Sequence, residues 1–297
     1  MAVYTGGLST YHVTITAEDV SDIIDSIDYQ KTPTYSEARK VKATGIIHQW
    51  QYQDFDTVST AGTIEGQDVT YATAAQPTGD QNANQIFRKK WAVTKTTEAV
   101  KIYGRKSEYK RQQKRKIIEL KRDMNATIWQ GSAAEVTGTS AAARVMQAMP
   151  GFVTQTAGQS AILTLAKVNL AVQEVWDNGT DPDTIWCTGT IKGYISGWSI
   201  TNLTRNVEAR THKVIMRVDV LDTDWGVLEI IADRGMATQS MYVGISDHLR
   251  WANLRAPFVQ MTPDLGGGPR GFTESEGCIE VGHPNAFSTI TGITATA

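Results

Sequence analysis

Residues 101–123 read KIYGRKSEYKRQQKRKIIELKRD, a stretch that no compact fold can bury. From Lys101 to Arg122, ten cations, Lys101, Arg105, Lys106, Lys110, Arg111, Lys114, Arg115, Lys116, Lys121 and Arg122, stand against Glu108 and Glu119, a net of +8. The whole chain has 29 basic and 31 acidic side chains, so the remainder holds 19 against 29, a net of −10. A solvated charged face is the ordinary reading of a charge run. Here the imbalance exceeds what lacing between residues four apart can neutralise, so compensation has to come from outside the run. Two compensators are on offer: the phosphates of a nucleic acid, and acidic surfaces of other copies of the chain. From about residue 99 to 131 there is no proline, and Gly104 is the one interior glycine. Val100, Tyr103, Ile117, Leu120, Met124 and Ile128 follow helical spacing, so a single helix of roughly 50 Å is predicted. Its apolar face belongs to its second half.

The rest of the chain is organised around this rod. Residues 1–15 are rich in Gly, Ser and Thr and predict a loose arm. Val20, Ile23, Ile24 and Ile27 then recur as one face of a short helix with Thr16 as its N-cap, stopped at Pro33. In IIHQWQYQDF, His48, Trp50 and Tyr52 alternate with glutamines, and in FRKKWAV, Phe87, Lys89, Trp91 and Val93 share a face; both predict strands. The thirty residues between them have little periodicity. A hairpin arm rooted in the two aromatic strands accounts for that length better than a structureless loop inside a compact domain. Trp50, Tyr52, Phe87 and Trp91 are the candidate inter-subunit contacts of this arm.

Beyond Pro150, LAKVNLAVQEVW predicts a helix, DTIWCT a buried strand, and IKGYISGW a helix through Ile191, Tyr194, Ile195 and Trp198. KVIMRVDVLDTDWGVLEIIAD predicts two strands about a turn, and MYVGI and CIEVG add two more. LGGGPRG predicts a turn. Helices and strands interleave without a regular βαβ period, so the fold class is α+β.

Chemistry is not advertised. The five histidines are dispersed, there is no metal-ligand spacing, and LGGGPRG lacks the Lys-Ser/Thr of a phosphate loop. His48 reads as a half-buried strand residue. Asp181, Asp183, Asp222 and Asp224 sit in turn contexts, where aspartate serves the backbone. Cys187 and Cys278 read as buried free thiols. No apolar run approaches a membrane span, and MAVYTGGLSTYHV lacks the regions of a signal peptide. No catalytic, metal-binding or cofactor-binding residue is put forward, and no cofactor or enzyme activity is expected.

Several stretches, in order, carry a resemblance: DVSDIIDSID and TPTYS, HQW, GRKSEYKRQQKRKIIELKRD, DWGVLEIIADRGM, HLRWANLR, and TESEGCIEVGHPNAFSTITGI. Together they resemble the Hong Kong 97-type major capsid proteins of tailed bacteriophages. The resemblance implies an N-terminal arm (1–44), an extended loop lying across a neighbour (45–98) and a peripheral domain with a long spine helix (99–150). An axial domain (151–268) and a terminal strand returning to the peripheral domain (269–297) complete the expected order. It implies self-assembly into hexamers and pentamers of an icosahedral shell, in the virion, assembled in the host cytoplasm. The ten cations would face packaged double-stranded DNA without reading its sequence. Scaffolding would be a separate protein, as would portal and decoration proteins. The alternative is a cytoplasmic, sequence-nonspecific DNA-binding protein using the basic helix directly; an enzyme with a long lid loop is a third reading.

Overall fold

The computed structural model describes residues 28–71, 73–102, 106–159, 162–202, 219–237, 239–264 and 266–296. The predicted helix at 16–28 therefore lies outside the described residues, apart from its last position. Pro33 opens a helix of its own, α1 (Pro33–Glu37), as suits a residue whose missing N–H costs nothing in a first turn. Next come β1 (Arg39–Lys42), β2 (Ile47–Tyr52), β3 (Thr78–Ala83) and β4 (Gln85–Ala92). A short helix α2 (Lys95–Ala99) precedes the long α3 (Glu108–Gln130).

The long helix is shorter than its sequence predicts. Val100 is extended after α2, and Ser107 starts α3 by accepting the Lys110 amide. Twenty-three residues give about 35 Å. Lys101 and Lys106 thus precede α3 rather than ride on it.

The remaining elements are α4 (Met149–Phe152), β5 (Thr156–Gln159), β6 (Ile162–Leu163), α5 (Leu165–Asp177), β7 (Thr184–Cys187), α6 (Gly189–Asn202), β8 (Val220–Thr223), β9 (Gly226–Ala232), β10 (Met241–Gly244), β11 (Leu249–Thr262), β12 (Arg270–Val281), β13 (Phe287–Thr291) and β14 (Ala295–Thr296). Among the described residues, the helices and strands predicted beyond Pro150 form where their periodicity places them; residues 213–218 of the strand predicted in KVIMRVDV lie outside the described residues.

Two sheets carry the architecture. One has the order β1-β11-β12-β4, with the long β11–β12 hairpin at its centre and β1 added in parallel. The other has the order β5-β13-β10-β7-β9-β8. The boundary expected at 268/269 does not follow these sheets. β11 belongs with β1, β12 and β4 in the first sheet, whereas β13, near the chain's end, lies in the second sheet. Within LGGGPRG, residues 266–269 lie in the turn between β11 and β12. Asp264 accepts from the Gly266 and Gly268 amides, and the Lys95 ammonium bonded to the Asp264 carboxylate holds it down at about 2.

The second sheet is covered on both sides, which is why TIWC is apolar at successive positions. Ile185, Cys187, Met241, Val243 and Ile290 face α5 and α6 in one cluster. Trp186, Tyr242 and Phe287 face the other way and join the core of the first sheet and α3. There Trp129 lies 4.9 Å from Tyr242 and 6.0 Å from Trp186, ring to ring. Both cysteines are buried and free; burial pushes the Cys187 thiol up to about 12.

Candidate assembly surfaces

The hairpin arm exists, but its roots differ from the expected pair. Ile47–Tyr52 pairs antiparallel with Thr78–Ala83, not with FRKKWAV. β4, which holds FRKKWAV, pairs with β12 inside the body. Phe87 and Trp91 are consequently buried in their own subunit, against Trp251 and Tyr109. Trp50 and Tyr52 do sit on the arm, yet their rings pack inward on Phe152 (5.8 Å) and His283 (4.5 Å). All four aromatic candidates thus make contacts within the chain.

Those contacts fix the arm to the body. His48 is bonded to Glu280 at 2.8 Å, and His283 to Asp54 at 2.8 Å. Hydrogen bonding from His48, then from Arg250, keeps the Glu280 carboxyl below the usual carboxylate range. Asn82, fully buried, donates to the carbonyls of Gln147 and Ile279 and accepts the Gln147 amide. Beyond the roots everything changes. Every described residue from 53 to 79 is exposed, including Phe55, Val58, Ile64, Val69 and Tyr71, at 67 to 102 %. Five large apolar side chains held in water on one projection mark an interaction surface.

The structure sorts the ten predicted cations. Arg105 lies outside the described residues. Arg111, Arg115 and Arg122, spaced by four and seven on α3, are paired. Arg111 forks onto Glu108 (2.7 and 3.0 Å), and Arg115 meets Glu119 at 3.0 Å. Arg122 lies 3.5 Å from Asp28 and over the Tyr29 ring. Lys116 shares Glu119 at 2.6 Å. Lys110, Lys114 and Lys121 repeat the same spacing one residue earlier, so they form a neighbouring stripe. All three are exposed and, among the described residues, none has an acidic partner; the same holds for Lys101 and Lys106.

One feature escapes sequence reasoning altogether. Glu274, Glu276 and Glu280 are buried on β12. Glu274 meets Arg88 and Arg255, Glu276 meets Arg144 and Arg255, and Glu280 meets Arg250 and His48. The alternation in TESEGCIE is visible, but charged side chains ordinarily stay outside, and the cations come from distant segments. Together they clamp β4, β11, β12 and the arm root. Among the described residues no helix is long and apolar enough to cross a membrane.

The family model of the SU10 major capsid protein matches residues 7–294. The chain belongs to the SU10 major capsid protein family. It is therefore a shell-forming major capsid protein, a structural component of the virion. No curated protein sequence matches it. Solved structures agree on the Hong Kong 97-like fold. The cyanophage A-1(L) capsid superimposes with a TM-score of 0.66 at 12 % identity, covering 96 % of this chain and 98 % of that one. The capsid of the native GTA particle gives 0.64 at 10 % identity, covering 96 % and 97 %. The SrpI encapsulin of Synechococcus elongatus gives 0.58 at 7 % identity, covering 93 % and 92 %. At such identities likeness shows the fold alone; membership of the family decides the function. Nothing in these comparisons supports the alternative of a cytoplasmic DNA-binding protein.

Proposed function

We propose that this capsid protein assembles as hexamers and pentamers into an icosahedral shell around double-stranded DNA, with the lysine stripe of α3 turned toward the genome. The observation that carries this reading is the division of labour on α3. Its arginines are neutralised within the subunit, while Lys110, Lys114 and Lys121 are left to a partner. Phosphate contact of this kind is sequence-blind and weakens with salt. Residues 45–83 act as the extended loop, α3 as the spine helix, and the six-stranded sheet with α5 and α6 as the axial body that meets its copies around the symmetry axes. Assembly takes place in the host cytoplasm, with any scaffolding, portal and decoration functions on separate chains.

The triple change Lys110→Glu, Lys114→Glu, Lys121→Glu tests the assignment. Closed particles are expected by electron microscopy, with DNA content per particle reduced several-fold. Particles filled as in the parent would remove the stripe from any role in holding DNA.

The loop also predicts a chemical absence. No lysine occurs between residues 43 and 88, so no isopeptide bond can start from a loop amine. Particles boiled in SDS are expected to run as monomers. A covalent ladder whose linked peptides map to residues 45–83 through a lysine amine would contradict this.

A further inference from the structure

The lysine stripe of α3 borders a bare strip of the first sheet. On one flank of the helix, Asp123 reaches Lys89 of β4 at 2.5 Å. Lys121 stands two residues earlier, about 200° round the helix, so the stripe points to the other flank, over β11. Beyond Asn253, where β1 ends, β11 has only β12 as a ladder partner among the described residues. Val259 shares a row with Thr273 and Lys89, and Met261 a row with Gly271 and Trp91. Lys89 and Trp91 face α3, through Asp123 and Tyr109, so Val259 and Met261 face that way too. They stand 39 and 66 % exposed. Half-buried Ile117 falls between Lys114 and Lys121 in the stripe. Helix and strand thus form an open corner with an apolar floor and a cationic wall.

The chain supplies a segment that matches it. Asp28, the first of the described residues, is already held at one end of the stripe. Its carboxylate lies 3.5 Å from Arg122, whose guanidinium covers the Tyr29 ring at 4.3 Å. Ahead of it, residues 16–27 carry Glu18, Asp19, Asp22 and Asp25 and no Lys or Arg. The helix predicted there puts Val20, Ile23, Ile24 and Ile27 on one face and Glu18, Asp22 and Asp25 on the opposite one. Thirteen residues of helix span about 20 Å. The stripe runs nearly as far, about 18 Å from Arg122 back to Lys110.

We propose that residues 16–28 lie antiparallel to α3 in this corner of their own subunit, as a detachable cover for the lysine stripe. Ile24 and Val20 rest on Val259 and Met261, and Asp25, Asp22 and Glu18 lie toward Lys121, Lys114 and Lys110. The hold of Arg122 on Asp28 selects the subunit's own segment, because a helix hinged at the end of the corner meets it at high effective concentration. In the free subunit the cover shields cations that would otherwise bind any nucleic acid without regard to sequence. The crowded phosphates of a packaged genome then displace it. The inference rests on the genome reading of the stripe and adds what occupies the stripe until DNA arrives.

Two measurements on the unassembled full chain test this. Ile24→Cys with Val259→Cys, and Val20→Cys with Met261→Cys, are each oxidised; Cys187 and Cys278 are buried and stay silent. At least one pair is expected to close a disulfide within one chain, seen as a faster-running monomer on a non-reducing gel and mapped by peptide mass. Open thiols in both pairs, or linked dimers alone, would overturn the docking. The shielding is read with duplex DNA of arbitrary sequence. Glu18→Gln, Asp22→Asn and Asp25→Asn together are expected to raise its affinity about tenfold at low salt, the gain shrinking as salt rises. Equal, measurable affinity for parent and variant would overturn the shielding. DNA bound by neither chain would instead sink the genome reading of the stripe, and the disulfides would still decide the docking.

Discussion

A subunit lacking residues 57–75 is expected to fold and to close no shells. The cut leaves β2 and β3 in their register, Ile47 to Ala83 through Tyr52 to Thr78, joined by a short loop. It also spares the anchors: His48 on Glu280, Trp50 on Phe152, and Asn82 on two backbone carbonyls. What it removes is surface the subunit does not use, with Val58, Ile64, Val69 and Tyr71 standing in water. Each such contact is modest alone. Repeated at every subunit of a closed array, its loss multiplies, because closure makes later contacts effectively intramolecular. The expected result is a soluble subunit with the circular dichroism of the parent and no closed particles on an electron-microscope grid. Particles of normal size would show that the loop is dispensable. A longer cut, through residue 84, would be uninformative, because it takes away β3 and the buried Asn82 and Asn84.

Asp233→Ala is the point change expected to cost the fold most. Asp233 is fully buried. Its carboxylate accepts the Thr34 hydroxyl at 2.5 Å, the Asn125 amide at 2.8 Å to both oxygens, and the Gly235 N–H at 2.7 Å. Asn125 in turn accepts the Tyr35 N–H at 2.9 Å, and the Trp129 indole donates to Thr34 at 3.1 Å. The hub joins the segment before β1, the middle of α3 and the turn after β9. It leaves no room for more: a Cβ on Gly235 would sit 2.6 Å from the Asn125 side-chain nitrogen. Alanine at 233 strands three buried donors, at about 1–3 kcal/mol each when unpartnered, so a loss of at least about 3 kcal/mol follows. That is a large part of an ordinary domain's stability of about 5–15 kcal/mol. Urea unfolding of the unassembled subunit reads it directly. A loss of under about 1 kcal/mol would mean the hub is solvated or redundant.

Where the chain could be read and where it could not have separate physical causes. LAKVNLAVQEVW and TIWC announced themselves because one-sided and two-sided burial leave different periodicities. The arm's second strand, TGDQNA, did not, because it has no apolar face at all. It is held by the ladder and by the Asn82 amide, so the aromatic FRKKWAV looked like the better partner. The start of α3 was hidden for a similar reason. Ser107 caps it, but Lys110 stands where a Glu would have completed a recognisable box. The lysine and arginine stripes were both in plain view as charge. The pairs Arg111–Glu108 and Arg115–Glu119 are three and four residues apart and follow from helical spacing, whereas the partner of Arg122, Asp28, comes from a distant segment and depends on the fold. Asp233 and the β12 glutamates were legible only as acidic letters, since their partners come from segments far away in the chain.

The packed, mutually tilted rings of Trp129, Trp186, Tyr242 and Phe287 bear on how a closed container tolerates unequal surroundings. They leave no lubricated seam between the helix layer and the six-stranded sheet, so each subunit tilts as one stiff plate. In the icosahedral shell proposed above, differences between a five-fold corner and a flat facet are expected to fall on the slender strap at residues 53–77 and to leave the body in one shape.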